Sequence, residues 1–239
     1  MDSTNHSTSL RRAFRAARAL AKNPDDLPQV FTIIESLSGG AMNRVQRRME
    51  KSDTGRRLLE TKPDIVELLA DREALRKLPE GSLGRAYLDF VESENISADG
   101  IRAADKDGSA GEIAMPNGSE FVHARMRDTH DLWHAAVGYK GDVLGEIALL
   151  AFSLAQTKNL ALALIIGVGL LKTRALPGSR AVIFDGFRRG RKAVFLPEQP
   201  WESLLALPVE EVRQRLSLEA PPVYTPLRTA DLRASGAIA

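Results

Sequence analysis

The stretch Ile147-Ala148-Leu149-Leu150-Ala151-Phe152-Ser153-Leu154-Ala155-Gln156-Thr157-Lys158-Asn159-Leu160-Ala161-Leu162-Ala163-Leu164-Ile165-Ile166-Gly167-Val168-Gly169-Leu170-Leu171 holds a single charge, Lys158. As one helix it is long enough to cross the ~30 Å hydrocarbon core of a bilayer. Its middle, however, is Gln156-Thr157-Lys158-Asn159, and a lysine at the centre of a span costs ~2.5–3.5 kcal/mol on insertion scales. The spacing therefore predicts two buried helices, Ile147–Thr157 and Asn159–Leu171, meeting at a polar turn. Two helices apolar all round must be covered by others, so this tract commits the chain to a helical core.

The rest of the chain supplies those partners. Leu10–Lys22 reads as a basic amphipathic helix with Leu10, Phe14, Ala17 and Ala21 along one stripe, and Leu27–Leu37 as a second that stops at Gly39-Gly40. Ala41–Glu60 is helical and basic, interrupted near Ser52–Gly55. Pro63 opens a helix with Ile65, Leu68, Leu69 and Leu75 on its apolar face, and Ser82 caps another through Val91. Ser97–Ser119, rich in Gly, Asp and Ala, reads as a flexible loop. Ala181–Phe187 and Ala193–Leu196 are short enough to be strands, either paired around Arg188-Arg189-Gly190-Arg191 or left irregular, and Trp201–Leu216 is a final helix. The expected fold is mostly α. One multi-helix domain over 10–226 lies between a flexible N-terminus (1–9) and a C-terminal tail (227–239), with at most a short β-hairpin in the C-terminal third.

Composition narrows the function. Lys+Arg 33 against Asp+Glu 31 leaves a net charge of +2 in 239 residues, which argues against a dedicated nucleic-acid binder. The arginines at 44, 47, 48, 56, 57, 188, 189 and 191 are local clusters suited to a solvated face or an anionic surface. With Cys 0, disulfides, thiolate metal sites and cysteine nucleophiles are all excluded.

Two of the four histidines fall in Asp128-Thr129-His130-Asp131-Leu132-Trp133-His134-Ala135-Ala136-Val137-Gly138. One helical turn separates His130 from His134, and Asp131 falls within about a 100° sector with them. Gly138 ends that helix, Asp142 caps the next, and a reversal between them folds Glu146 back toward the histidines. Two imidazoles and two carboxylates balance a divalent ion, so His130, Asp131, His134 and Glu146 are the candidate metal ligands. The competing reading is a hydrogen-bonded polar cluster in the core. The segment is not a zincin motif, because Asp131 stands where that family's glutamate base would be. The apolar tract directly after Glu146 is expected to line a lipid-sized cavity beside the site, through Leu149, Leu150, Phe152, Leu154, Leu162, Ile165 and Ile166. His123, seven residues upstream, is assigned to another segment.

His130-Asp131-Leu132-Trp133-His134 followed after eleven residues by Glu146 resembles the H-D-x-x-H-x(11)-E signature of the coenzyme Q (ubiquinone) biosynthesis protein 4 family. The blocks Thr54–Leu59, Leu78–Gly84, Arg125–Thr129, Trp201–Leu205, Pro208–Arg213 and Pro221-Pro222 resemble the family as well, so the similarity runs from about Leu10 to Tyr224. Asn23–Asn43 departs from its pattern.

The resemblance implies a helical fold and a divalent metal, zinc or alternatively iron, on His130, Asp131, His134 and Glu146. It implies a role in ubiquinone synthesis through oxidative decarboxylation of a polyprenylated hydroxybenzoate, with the other enzymes of the pathway as partners. A homodimer bound peripherally to a membrane surface is the expected state, at the inner face of a bacterial cytoplasmic membrane or the matrix side of the mitochondrial inner membrane. A non-catalytic prenyl-lipid scaffold is the alternative.

Overall fold

Lys158 and Asn159 divide the apolar tract in the manner the polar turn predicts. The computed structural model describes residues 2–23, 26–98, 100, 119–174, 176–234 and 236. In it the tract forms α10 (Val143–Thr157) and α11 (Leu160–Lys172). Lys158 closes α10 in the left-handed region, its N–H bonded to the Leu154 carbonyl, and the Asn159 side chain accepts from the Ala161 N–H to open α11. Among the described residues no helix is long and apolar enough to cross a membrane.

Ahead of this pair lie α1 (Asp2–Leu20), α2 (Leu27–Leu37), α3 (Gly39–Met49), α4 (Asp53–Thr61), α5 (Val66–Ala70), α6 (Arg72–Arg76), α7 (Leu83–Ser93), α8 (Glu120–Asp128) and α9 (His130–Val137). After it come α12 (Ser179–Lys192), a 3-10 turn at Leu196–Glu198, α13 (Trp201–Leu204), α14 (Val209–Arg215) and α15 (Thr229–Ala234). The main core gathers Trp133, Leu149, Phe152, Tyr87, Leu83 and Trp201, so α9 and α10 meet α7, α13 and α14 at its centre. A second cluster joins Leu20 and Ile33 of α1 and α2 to Ala161 and Ile165 of α11.

Several expectations are corrected. No hairpin forms at Ala181–Leu196: α12 runs straight through Arg188–Arg191. Its Gly186 and Gly190, one turn apart, lie against the backbone of α10. A Cβ on Gly186 would sit 2.2 Å from the Ala148 carbonyl oxygen, and one on Gly190 2.4 Å from that of Phe152. That close approach requires a helix, whose i and i+4 positions share a face. Gly39 and Gly40 open α3 instead of merely ending α2, with buried Ser38 as the one residue between the two helices.

The helix expected from Pro63 is two short ones, divided at Asp71, whose carboxylate caps α6 through the Ala74 N–H, and Leu68 is exposed. Pro208 splits the last helix into α13 and α14 because it has no N–H to continue the ladder. The segments read as loose ends also carry helix, α1 from Asp2 and α15 with a fully buried Leu232. Most of the loop expected at 97–119 lies outside the described residues.

Candidate metal centre

α8 runs almost without interruption into α9. Thr129 joins them, and its hydroxyl donates to the Arg125 carbonyl at 2.7 Å. Gly138 ends α9 at φ +91°, a conformation glycine adopts without strain, and its N–H returns to the His134 carbonyl at 2.8 Å. Asp142 then caps α10, with Oδ1 accepting from the Leu144 and Gly145 N–H groups. The same carboxylate accepts from the Leu227 N–H at 2.8 Å and from the Tyr224 hydroxyl at 2.7 Å, which straps the C-terminal segment across the turn.

The reversal brings Glu146 to the histidines. His134 Nε2 lies 3.1 Å from Glu146 Oε1, and His130 Nε2 lies 3.7 Å from Oε2. One ligating atom from each of the three residues falls within 4.8 Å of the others. For bonds of about 2.1 Å and a tetrahedral angle, two atoms sharing an ion lie about 3.4 Å apart, so both gaps fit.

The buried ring is the more telling one. His134 Nδ1 is 2.9 Å from the Tyr139 carbonyl, which only accepts, so Nδ1 carries the proton. In the neutral ring the Nε2 lone pair then faces the Glu146 carboxylate. That nitrogen is fully buried and makes no hydrogen bond despite the short distance. Two acceptors in contact require a cation between them or a second proton on the ring. Phe90 stacks on His134 with ring centroids 4.9 Å apart and fixes its plane.

Asp131 takes a different place from the one its spacing suggested. Its Oδ1 lies 3.2 Å from Nδ1 of His130, the nitrogen turned away from Glu146, and it is not among the three clustered residues. This is the carboxylate–histidine arrangement that orients a ligand and selects its tautomer. Burial lowers the His130 imidazole, but the bond to Asp131 and the charges of Glu146 and Asp131 outweigh it, and the balance lies above the ordinary value. Burial raises the Glu146 carboxyl, yet the neighbouring charge and contact of His134, with the charge of His130, hold it down at about 2.

His130, Asp131 and Glu146 form part of the wall of a cavity of about 870 Å³, within the range of small-molecule sites. Of the seven residues expected to line it, Leu150, Leu162 and Ile165 do. Leu149 and Phe152 are instead fully buried in the main core, and Leu154 and Ile166 pack in the cluster around Leu144 and Ile183. The α10 wall is the stripe Val143, Glu146, Ile147, Leu150, Ser153 and Thr157, a single helical phase that contains the candidate ligand Glu146. His123 also lines the cavity, because α8 carries it two turns before His130 on the same side. Its i, i+7 spacing was the signal for this, once α8 and α9 are read as nearly continuous.

The family model for coenzyme Q (ubiquinone) biosynthesis protein Coq4 matches residues 3–222. The chain belongs to this family. It is similar to the mitochondrial ubiquinone biosynthesis protein COQ4 of Yarrowia lipolytica, 32% identical over 186 residues that cover 75% of this chain and 67% of that one. The COQ4 homolog of Aedes aegypti is 31% identical over 223 residues, covering 89% of this chain and 77% of that one. The chain spans 64% of the length of the Clavispora lusitaniae relative, at 29% identity. Its fold resembles a crystal structure from Nostoc punctiforme described under ubiquinone biosynthesis, with a TM-score of 0.66, 22% identity, and coverage of 89% of this chain and 97% of that one. The Coq4 signature thus coincides with the short segment whose residues converge on Glu146.

Proposed function

We propose that this Coq4-family chain is a metal-dependent enzyme of ubiquinone synthesis, replacing the C1 carboxyl of a polyprenylated hydroxybenzoate by a hydroxyl. The observation that carries the metal reading is the buried Nε2 of His134, whose ring commits its Nδ1 proton to the Tyr139 carbonyl, set 3.1 Å from Glu146 Oε1. His130, His134 and Glu146 would hold the ion, with Asp131 orienting His130 or joining as a fourth ligand. Bound there, a divalent ion supplies Lewis acidity toward a carboxylate or phenolate, and iron adds the capacity to activate dioxygen directly.

The protein's own contribution is placement. The apolar wall formed by Ile147, Leu150, Leu162 and Ile165 receives a prenyl tail and excludes water from the reacting ring. His123, Arg127 and Asp131 border the polar end, where a carboxylated ring would sit beside His130. Peripheral membrane docking through α1, with its arginines and an exposed Phe14, belongs to the same reading. So do association with a second copy and with the other enzymes of the pathway. The inner face of a bacterial membrane is the proposed location; the relatives named above are mitochondrial proteins.

Purified protein prepared without chelator should contain about one zinc or iron per chain by elemental analysis. With metal, dioxygen, water and a prenylated hydroxybenzoate it should yield the hydroxylated ring and carbon dioxide, the two electrons leaving on dioxygen as hydrogen peroxide. His134→Ala and Glu146→Ala should abolish both metal content and complementation of a ubiquinone-deficient strain. Metal-replete protein that binds the substrate but never turns it over would leave the non-catalytic lipid scaffold as the better account.

A further inference from the structure

α9 has eight residues, too few to be stable alone. Its last four carbonyls have no partner within the helix, and they end in the buried core, where water does not compensate them. The His134 carbonyl accepts from the Gly138 N–H. The other three are met by two buried guanidiniums. Arg213 on α14 donates from Nε to Ala136 at 2.9 Å and from Nη2 to Ala135 at 3.2 Å. Arg189 on α12 donates from Nη2 to Val137 at 2.9 Å. Arg189 also grips the Ala220 and Glu219 carbonyls at 2.8 and 3.0 Å. Only 4% of Arg189 and 8% of Arg213 is exposed.

These contacts bear on the site because the ligands sit on two helices. The gap between His134 and Glu146 is set by how α9 lies against α10. α12 touches both: Gly186 and Gly190 press on the α10 backbone, and Arg189, between them in sequence, holds the end of α9. The helix is thus registered to its partner through α12 and stopped from rotating by the forked donor of Arg213. Two fixed cations at the helix C-terminus also complement its dipole.

We propose that Arg189 and Arg213 are positioning residues of the metal centre, setting the distance between the histidine helix and Glu146. The proposal rests on the metal reading given above. Metal-free wild type, Arg189→Ala, Arg213→Ala, Arg189→Lys and Arg213→Lys would each be titrated with Zn²⁺, then with Co²⁺ while recording its visible spectrum. Amide hydrogen exchange of 132–138 would be followed in the same metal-free proteins. Loss of such outer contacts characteristically costs 10–100-fold in metal affinity, so that fall is expected in the alanine variants, with a shifted Co²⁺ spectrum and faster exchange confined to α9.

Arg213→Lys should recover less than Arg189→Lys, since an ammonium does not reproduce a planar fork over two adjacent carbonyls. Should an alanine variant fail to fold, its lysine counterpart carries the test. Folded variants with wild-type Zn²⁺ affinity, spectrum and α9 exchange would overturn the proposal, as would faster exchange spread evenly over the core. If wild type itself bound neither ion, the metal reading would fail, and α9-confined exchange alone would decide whether the arginines position the helix.

Discussion

α10 and α11 are neighbours in sequence, both almost wholly apolar, and they end up in different surroundings. α10 is gripped along its length: Ala148, Leu149, Ala151 and Phe152 are buried, and two glycines of α12 lie against its carbonyls. α11 shares one side with α1 and α2 and another with the cavity, and it leaves Leu160 and Leu171 at its two ends 73% and 67% exposed. Hydrophobicity alone would rank α11 as the more buried of the two. What separates them is the glycine pair at 186 and 190, which gives α10 a backbone-to-backbone neighbour. Glu146 stands on the helix with the backbone neighbour, and the cavity wall includes the one with exposed ends.

The largest test of this contrast is truncation at matched apolar positions. Phe152→Ala should cost about 4 kcal/mol of unfolding free energy, while Leu160→Ala and Leu171→Ala should stay within about 0.5 kcal/mol. Urea denaturation read by circular dichroism would compare them, and equal losses would erase the distinction.

Glycine substitution is the sharper version. Gly186→Ala drives a methyl into the Ala148 carbonyl and should cost about 2–3 kcal/mol. Gly167→Ala on α11 meets nothing within 4 Å and should stabilise by about 0.5–1 kcal/mol through helix propensity.

The smallest effect is that of pH on the metal-free protein. The His130 pKa is raised on folding, so its contribution is complete below the unfolded value near 6.5 and lost as pH rises through the folded value. Glu146 is depressed to about 2, so its contribution is present above the ordinary value of 4.5 and lost as pH falls through about 2. Metal-free protein should therefore unfold at a slightly higher temperature at pH 5.5 than at pH 8. Metal affinity should run the other way, because the imidazoles must be deprotonated to bind. Glu146→Gln should flatten the first trend, as thermal melts at the two pH values would show.

Much of the site was legible because its signals are local. Gly138 as a helix stop, Asp142 as a cap and Glu146 one turn later are properties of adjacent residues, and the structure places all three as their chemistry dictates. Asp131 was harder, since a residue about 100° around the helix from His130 points past the shared face, and here its carboxylate meets the outer ring nitrogen. Apolarity alone does not single out the lining residues, because the cavity selects by helical phase, which keeps Leu150 and turns Leu149 and Phe152 into the core. α12 is ambiguous in sequence because Ala181–Phe187 is as β-prone as it is helical in isolation. Only contact with α10 decides the matter, and that contact is made through absent side chains at Gly186 and Gly190.

The straps on the site have a bearing on the order in which this molecule is built. His130 to Glu146 is a short helix–turn–helix, able to come together as soon as it is made. Phe90, made earlier, stacks on His134, but the straps on the turn and on the end of α9 are encoded later: Arg189, Arg213, then Tyr224 and Leu227 on the Asp142 carboxylate. During synthesis these side chains are therefore near one another before their separation is fully fixed. A nascent chain halted before Tyr224 would present His130, His134 and Glu146 on a pliable turn, and their spacing would become fixed only when the last segment docks.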